Sequence, residues 1–157
     1  MSVVKSKQSQ NDLQVLNMAE DLLEFTFDIC HRERTVKLNG EKTKKSVFPL
    51  KYWSCFTSKI IELASGVYDD LYIANELFLG PNTSEAEYQE RRLYQNRAIA
   101  KCYAILPKIT FAWHKFSINS SSIDYWTMLI YDVLEKAKAW MSSDDRRYRQ
   151  YQSSKNK

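Results

Sequence analysis

Breakers are scarce in this 157-residue chain, which has three glycines and three prolines. An all-β fold needs frequent turns, so that scarcity excludes a many-stranded sheet protein and leaves room for a few long helices. Cysteine is rare too. Cys30, Cys55 and Cys102 are an odd number with no C-x-x-C spacing. That argues against a disulfide framework or a cysteine zinc site, and it reads as buried free thiols in a reducing compartment. No apolar run approaches a bilayer span, and the N-terminus lacks the apolar core of a secretory signal. A cytoplasmic protein with no membrane partner is expected. The length suits one domain.

Catalytic groups are equally thin. His31 and His114 are the only histidines, and neither closes the Arg-x4-His pattern of helical-bundle ribonucleases. Asp28-x-x-His31 is a single carboxylate–histidine pair, whereas a di-iron bundle needs two Glu-x-x-His motifs. There is no Gly-rich phosphate loop and no nucleophile elbow. No catalytic residue, cofactor or metal is expected, and the chain does not read as an enzyme.

What is present is helical periodicity and unevenly placed charge. The formal net charge is +4 at pH 7. Asp12, Glu20, Asp21, Glu24 and Asp28 crowd the first helix, with Glu20, Glu24 and Asp28 as an acidic rib. Arg32, Arg34, Lys37, Lys42, Lys44 and Lys45 fill the connection that follows, Arg146, Arg147 and Arg149 the far end, and Lys5 and Lys7 the beginning. Basic flexible segments suit an acidic polymer as partner, and also occur for solubility alone.

The pattern predicts an all-α, up-down-up-down antiparallel four-helix bundle over residues 11–150. A flexible tail, residues 1–10, precedes it and a flexible basic tail, residues 151–157, follows it. The helices are expected at about 11–31, 49–79, 84–117 and 121–147. Leu13, Leu16, Leu23, Phe27 and Cys30 mark a stripe on the first, widened by Val15, Ala19, Leu22, Thr26 and Ile29. Residues 32–46 form a polar connection. Pro49 opens the second helix, where a missing N–H costs nothing. Its seam is Trp53, Phe56, Ile60, Ala64, Val67, Leu71, Ala74 and Phe78. Ser84 and Glu87 form a capping-box pattern for the third. Its seam, Gln95, Ile99, Cys102, Leu106, Ile109, Trp113 and Phe116, keeps its phase across Pro107, so one kinked helix is expected. The fourth carries Ile123, Trp126, Ile130, Val133, Ala137 and Trp140. Phe27, Trp53, Trp113, Phe116 and Trp126 should gather at the end bearing the 32–46 connection.

Three groups invite a functional reading. Arg92 and Gln95 lie in phase with the third seam, and counting back from the Gly80–Ser84 turn puts Tyr68, Asp69 and Asn75 in reach. They form a polar layer, an oligomer contact or a solvated opening. Lys101, Lys108 and Lys115 recur every seven residues below Tyr94, with Arg97 between. This column spans roughly 30 Å, and is either a phosphate-tracking stripe or a solvated helix face. Arg146, Arg147 and Arg149 alternate with Tyr148 and Tyr151, as either a stacking surface or a frayed helix end.

These segments resemble the accessory variability determinant family of diversity-generating retroelements, and the related four-helix proteins encoded by ribosomal-RNA intervening sequences. The resemblance is carried by "FTFDIC" (25–30), "FPLKY" (48–52), Ala74–Asn75, "ERRLYQNRAIAKCYAIL" (90–106), "DYW" (124–126) and "AWMSSDDRRY" (139–148). It implies a non-catalytic protein that forms a homopentameric ring and binds a reverse transcriptase and template RNA or the RNA/cDNA product, in support of mutagenic cDNA synthesis. Arg97, Lys101, Lys108, Lys115, Arg146, Arg147 and Arg149 would then contact nucleic acid, while Tyr68, Asn75, Arg92 and Gln95 would serve the layer or interface. The lysine-rich 32–46 connection and the modest net charge depart from the family pattern. The alternative is an oligomeric scaffold of the intervening-sequence type with no nucleic-acid role.

Overall fold

The computed structural model describes residues 7–156, with side chains from Gln14 onward. The chain forms α1 (Lys7–Cys30), β1 (Glu33–Leu38), β2 (Glu41–Ser46), a 3₁₀ turn (Leu50–Tyr52), a π-helical turn (Trp53–Thr57), α2 (Ser58–Glu76), α3 (Glu85–Phe116) and α4 (Ser120–Lys155). It is therefore mostly helical, with four helices and a two-stranded sheet among the described residues. Each helix packs on the next, and α4 packs back on α1. Of the expected tail at residues 1–10, residues 7–10 belong instead to α1; residues 1–6, with Lys5, lie outside the described residues, as do the side chains of Lys7, Asp12 and Leu13.

Local chemistry fixes the helix ends. Ser84 Oγ accepts from the Glu87 amide at 3.2 Å while Glu87 Oε2 accepts from the Ser84 amide at 3.0 Å, the reciprocal box its spacing predicts. Asn119 Oδ1 accepts from the Ser121 amide at 2.8 Å and opens α4. α3 continues through Pro107 as one helix. α4 continues to Lys155, well past residue 147, so the segment read as a tail from 151 is largely helix.

The 32–46 connection is the main correction. It is an antiparallel hairpin pairing Glu33 with Ser46 through Leu38 with Glu41. Asn39 (φ 52) and Gly40 (φ 83) turn it, both in the left-handed region that a two-residue hairpin turn demands. Asn-Gly between short β-capable runs was the available signal. Two hydrogen bonds moor the base: Arg32 to Ser122 Oγ at 2.9 Å and Arg34 to the Phe116 carbonyl at 2.8 Å.

The core is formed by one face of each helix. All six predicted residues of the fourth seam are buried, as are Ile60, Ala64, Val67, Leu71 and Ala74 of the second. On α1 the buried line is Val15, Leu16, Ala19, Leu22, Thr26, Ile29 and Cys30, whereas Phe27 is 47% exposed and lies against His31. On α3 the buried line is Ala98, Cys102, Ile105, Ile109, Ala112 and Phe116, so Ile99, Leu106 and Trp113 sit one position off the core. Phe78, expected in the second seam, is exposed and stands over Gly80. Phe48, Phe116 and Trp126 form an aromatic cluster next to the hairpin, with Phe25, Tyr52 and Phe56 around it. Trp126 also donates to Thr26 Oγ1 at 3.0 Å, tying the end of α1 to the start of α4. Cys30 and Cys102 are buried as expected, and burial pushes both thiols up to about 12; Cys55, expected to be buried, is exposed.

Candidate functional site

The start of α3 lies against the ends of α2 and α4, where a charged network is buried. Asp144 is fully buried. It accepts from Arg91 Nε at 2.7 Å and Nη2 at 3.1 Å, the forked geometry that suits a guanidinium to a carboxylate. Gln95 Nε2 adds a third bond at 2.9 Å, and Arg147 stands 3.7 Å away. Arg91 Nη1 donates to the Ala74 and Leu77 carbonyls at 3.1 and 2.8 Å, the otherwise open end of α2. The Arg91 guanidinium also lies 4.8 Å from the Trp140 ring centroid. Buried Gln95 Oε1 and Trp140 Nε1 have no hydrogen-bond partner, so the network is incompletely satisfied.

This is a polar layer, but not the one the sequence suggests. Gln95 belongs to it. Arg92 does not: it is part-exposed and pairs with Asp145 and the Tyr88 hydroxyl. Tyr68 packs its ring on Tyr72 with centroids 5.9 Å apart, and Asn75 is half-buried, so neither joins the Arg91–Asp144 network. The carboxylate partner comes from α4, and the end of α2 contributes backbone carbonyls rather than the expected side chains. Arg91 and Asp144 were missed, although both continue an apolar seam by one turn: Arg91 precedes Gln95 by four, and Asp144 follows Trp140 by four. A polar residue in phase with a buried seam is the signal that could have found them.

Outside the layer, Tyr148 stacks on Tyr88 at 4.0 Å and donates to Glu85 Oε2 at 2.6 Å. The Tyr148 bond, then Gln89, holds the Glu85 carboxyl below its usual range. The Tyr148 phenol is in turn pushed up to about 12 by the carboxylate it donates to. Asp145 is held low by the Tyr88 hydroxyl and by Arg92. Arg147 donates to the Leu79 carbonyl at 3.0 Å, so it braces the turn before α3. Arg146 and Arg149 are exposed and border a shallow groove with Ala139, Ser142 and Asp145. Of the three arginines read as nucleic-acid contacts, one is thus structural and two are available.

The lysine column divides similarly. Lys101 pairs with Asp70, a carboxylate 3% exposed, and its chain passes over Gly66. Arg97 is half-exposed, 3.8 Å from Asp70 and over the Tyr94 ring at 5.3 Å. Asp70 thus partly neutralises this part of the stripe. Asp69, the neighbour expected to help the polar layer, is exposed. Lys108 lies over the Phe56 ring at 5.9 Å, and Lys115 is exposed beside Phe116. Lys51 lies over Tyr52 at 5.1 Å.

Lys108, Lys115, Lys51 and the hairpin's Lys37, Lys42, Lys44 and Lys45 have no carboxylate within 4 Å among the described residues. Within the hairpin, Arg34 faces Lys45 and Lys37 faces Lys42, so the register sets like charges opposite one another. His31 and His114 are both exposed and stack on Phe27 and Trp113. No group of three His, Cys, Asp or Glu side chains is placed to hold a metal ion, and no helix is long and apolar enough to cross a membrane, among the described residues. No protein-family profile, curated protein or solved structure matches this chain.

Proposed function

We propose that this chain is a non-catalytic accessory protein of a diversity-generating retroelement. In this reading its helices form an up-down-up-down four-helix bundle, five copies close into a ring, and the ring binds the reverse transcriptase and its template RNA. Support for the bundle is the packing order of the helices, each on the next and the last on the first. Support for RNA is the set of unpaired cations at the hairpin end. Lys37, Lys42, Lys44 and Lys45 project from the hairpin, while Lys51, Lys108 and Lys115 lie beside exposed or half-buried aromatic rings. Cations without carboxylate partners release counterions on meeting phosphate, and nearby rings accept unstacked bases.

The test is binding of labelled single-stranded RNA across a salt series, with co-purification of a co-expressed candidate reverse transcriptase. The expected result is tight binding at low salt that weakens steeply as salt rises, and is strongly reduced by Lys51→Glu, Lys108→Glu and Lys115→Glu together. RNA binding at wild-type affinity in the triple variant removes these three lysines from the interface. Absence of both RNA binding and co-purification rejects the reading.

A second reading, an oligomeric scaffold without nucleic acid, is favoured by Tyr125, Met128 and Tyr131, which expose 46–49% of their surface along α4. It predicts the same oligomer and no affinity for RNA.

A further inference from the structure

Beside the hairpin, Tyr52, Cys55, Phe56, Phe111, Lys115 and Phe116 line an open pocket of about 240 Å³. Its walls are mostly rings: Phe56 and Phe111 stand 5.2 Å apart, Phe56 and Phe116 5.9 Å, Tyr52 and Phe116 5.9 Å. Phe111 leaves 54% of its surface in water, so core packing does not account for a phenyl ring at this position. Cys55 and Phe56 enter the wall from the π-helical turn, a conformation that is rare and concentrates at functional sites. Three cations surround the rings. Lys115 lines the pocket, Lys108 lies over Phe56, and Lys51 lies over Tyr52.

Size and charge together select the occupant. The volume is that of about eight liquid waters, below the roughly 300 Å³ at which sites for whole small molecules begin. One planar ring fits, and a larger ligand must keep its remainder outside. The remainder meets lysines that carry no carboxylate partner, so it is anionic. A nucleobase joined to phosphates satisfies both conditions, whereas an apolar side chain of a protein partner leaves the lysines unused. We propose that this pocket receives one unstacked base of single-stranded RNA, stacked against Phe111 and Phe56, with the flanking phosphates on Lys51, Lys108 and Lys115. The inference rests on the RNA-binding reading and assigns its base-contacting site. Rings dominate the lining, so the pocket accepts any base without strong preference.

The experiment uses the full chain, a labelled uridine oligonucleotide and a duplex RNA of equal length. Phe111→Ala is expected to weaken single-strand binding by about 5- to 150-fold, the usual effect of removing one base–aromatic stack. Phe111→Tyr retains affinity, and Lys115→Gln lowers the salt slope by about 0.7. Alkylation of Cys55 supplies a readout on the unaltered chain. Cys55 is exposed, while the buried Cys30 and Cys102 thiols, pushed up to about 12, stay unreactive. Single-stranded RNA should slow Cys55 alkylation and duplex RNA should not. RNA binding with Cys55 unprotected and Phe111→Ala at wild-type affinity overturns the pocket and leaves the RNA reading standing. No RNA binding by the wild type overturns both. Protection that rises with protein concentration and needs no RNA assigns the pocket to a contact between copies, and overturns the inference.

Discussion

Asp144→Leu tests how the charged layer holds the fold. The substitution leaves the Arg91 guanidinium 4% exposed, bonded only to the Ala74 and Leu77 carbonyls and lying over the Trp140 ring. A buried charge stripped of its partner costs about 3–5 kcal/mol. Against a typical total of about 5–15 kcal/mol, this is about a fifth of the stability or more. At about 2–4 °C per kcal/mol for a chain of this size, the melting temperature should fall by about 6–20 °C. Arg91→Met is expected to cost a similar amount, because Asp144 then keeps only Gln95 and the more distant Arg147.

The double substitution is the sharper measurement. Arg91→Met with Asp144→Leu removes both charges, and apolar replacement of a buried ion pair is often neutral. Two α2 carbonyls and the Gln95 amide lose partners, so a residual loss of about 1–3 kcal/mol is expected. The cycle should therefore show a coupling of at least about 3 kcal/mol in urea unfolding followed by tryptophan fluorescence and far-UV circular dichroism. Single substitutions that each cost under about 1 kcal/mol, or a double variant that loses the sum of both, would refute the claim that this pair is desolvated and mutually dependent.

Further outcomes are expected. Lys101→Met should cost about 1–3 kcal/mol, because it leaves the carboxylate of Asp70, 5% exposed at its side chain, with Arg97 alone at 3.8 Å. Lys115→Met, at an exposed position without a carboxylate partner, should change stability by less than about 0.5 kcal/mol; equal effects in urea unfolding contradict that division. Gly40→Val forces a β-branched residue to φ 83 and should unfold the hairpin locally, while the global midpoint moves little because the strands pack chiefly on each other. Hairpin amide exchange reports the first effect, and a large fall in global midpoint would contradict the second. The Tyr148–Glu85 bond should be limited at both pH extremes. Glu85 is depressed, so its contribution is present above the unfolded value and is lost as pH falls below about 4; Tyr148 is raised to about 12, so its contribution is present below about 10 and is lost above that. The stability difference between wild type and Tyr148→Phe should stay constant between those limits and shrink outside them, and a pH-independent difference speaks against the bond.

Much of the helical framework was legible because it depends on one helix at a time. The Ser84–Glu87 box and the six-residue seam of α4 are local patterns of hydrogen bonding and period. The α3 seam was right at Gln95, Cys102, Ile109 and Phe116 and one position off at Ile99, Leu106 and Trp113. Apolar size alone selects Ile99, Leu106 and Trp113, yet the small side chains of Ala98 and Ala112 are the fully buried neighbours, while Ile99 and Leu106 pack at the edge of the core and Trp113 is turned partly to solvent. The same offset chose Arg92 over Arg91 and Asp69 over Asp70. Which of two adjacent polar residues turns inward is settled by a partner on another helix, and the trace within one helix is only the four-residue step from Gln95 back to Arg91 and from Trp140 on to Asp144. The hairpin differs: Asn39-Gly40 announced it, and the charge of the flanking strands concealed it.

The separation of cations follows from these packing constraints and bears on any RNA surface. Arg91 and Lys101 answer carboxylates that would be costly to leave buried alone, and Arg147 also bonds the Leu79 carbonyl, so phosphate competes poorly for them. Lys108, Lys115, Lys51 and the hairpin lysines answer no carboxylate within 4 Å among the described residues, and neutralising them removes no ion pair there. A heptad spacing in sequence therefore mixes two populations with opposite behaviour. Salt should weaken RNA binding through the second population while leaving the fold, held in part by the first, largely unaffected. Parallel loss of binding and of helicity across one salt series would contradict this separation, because it would place the same cations in both roles.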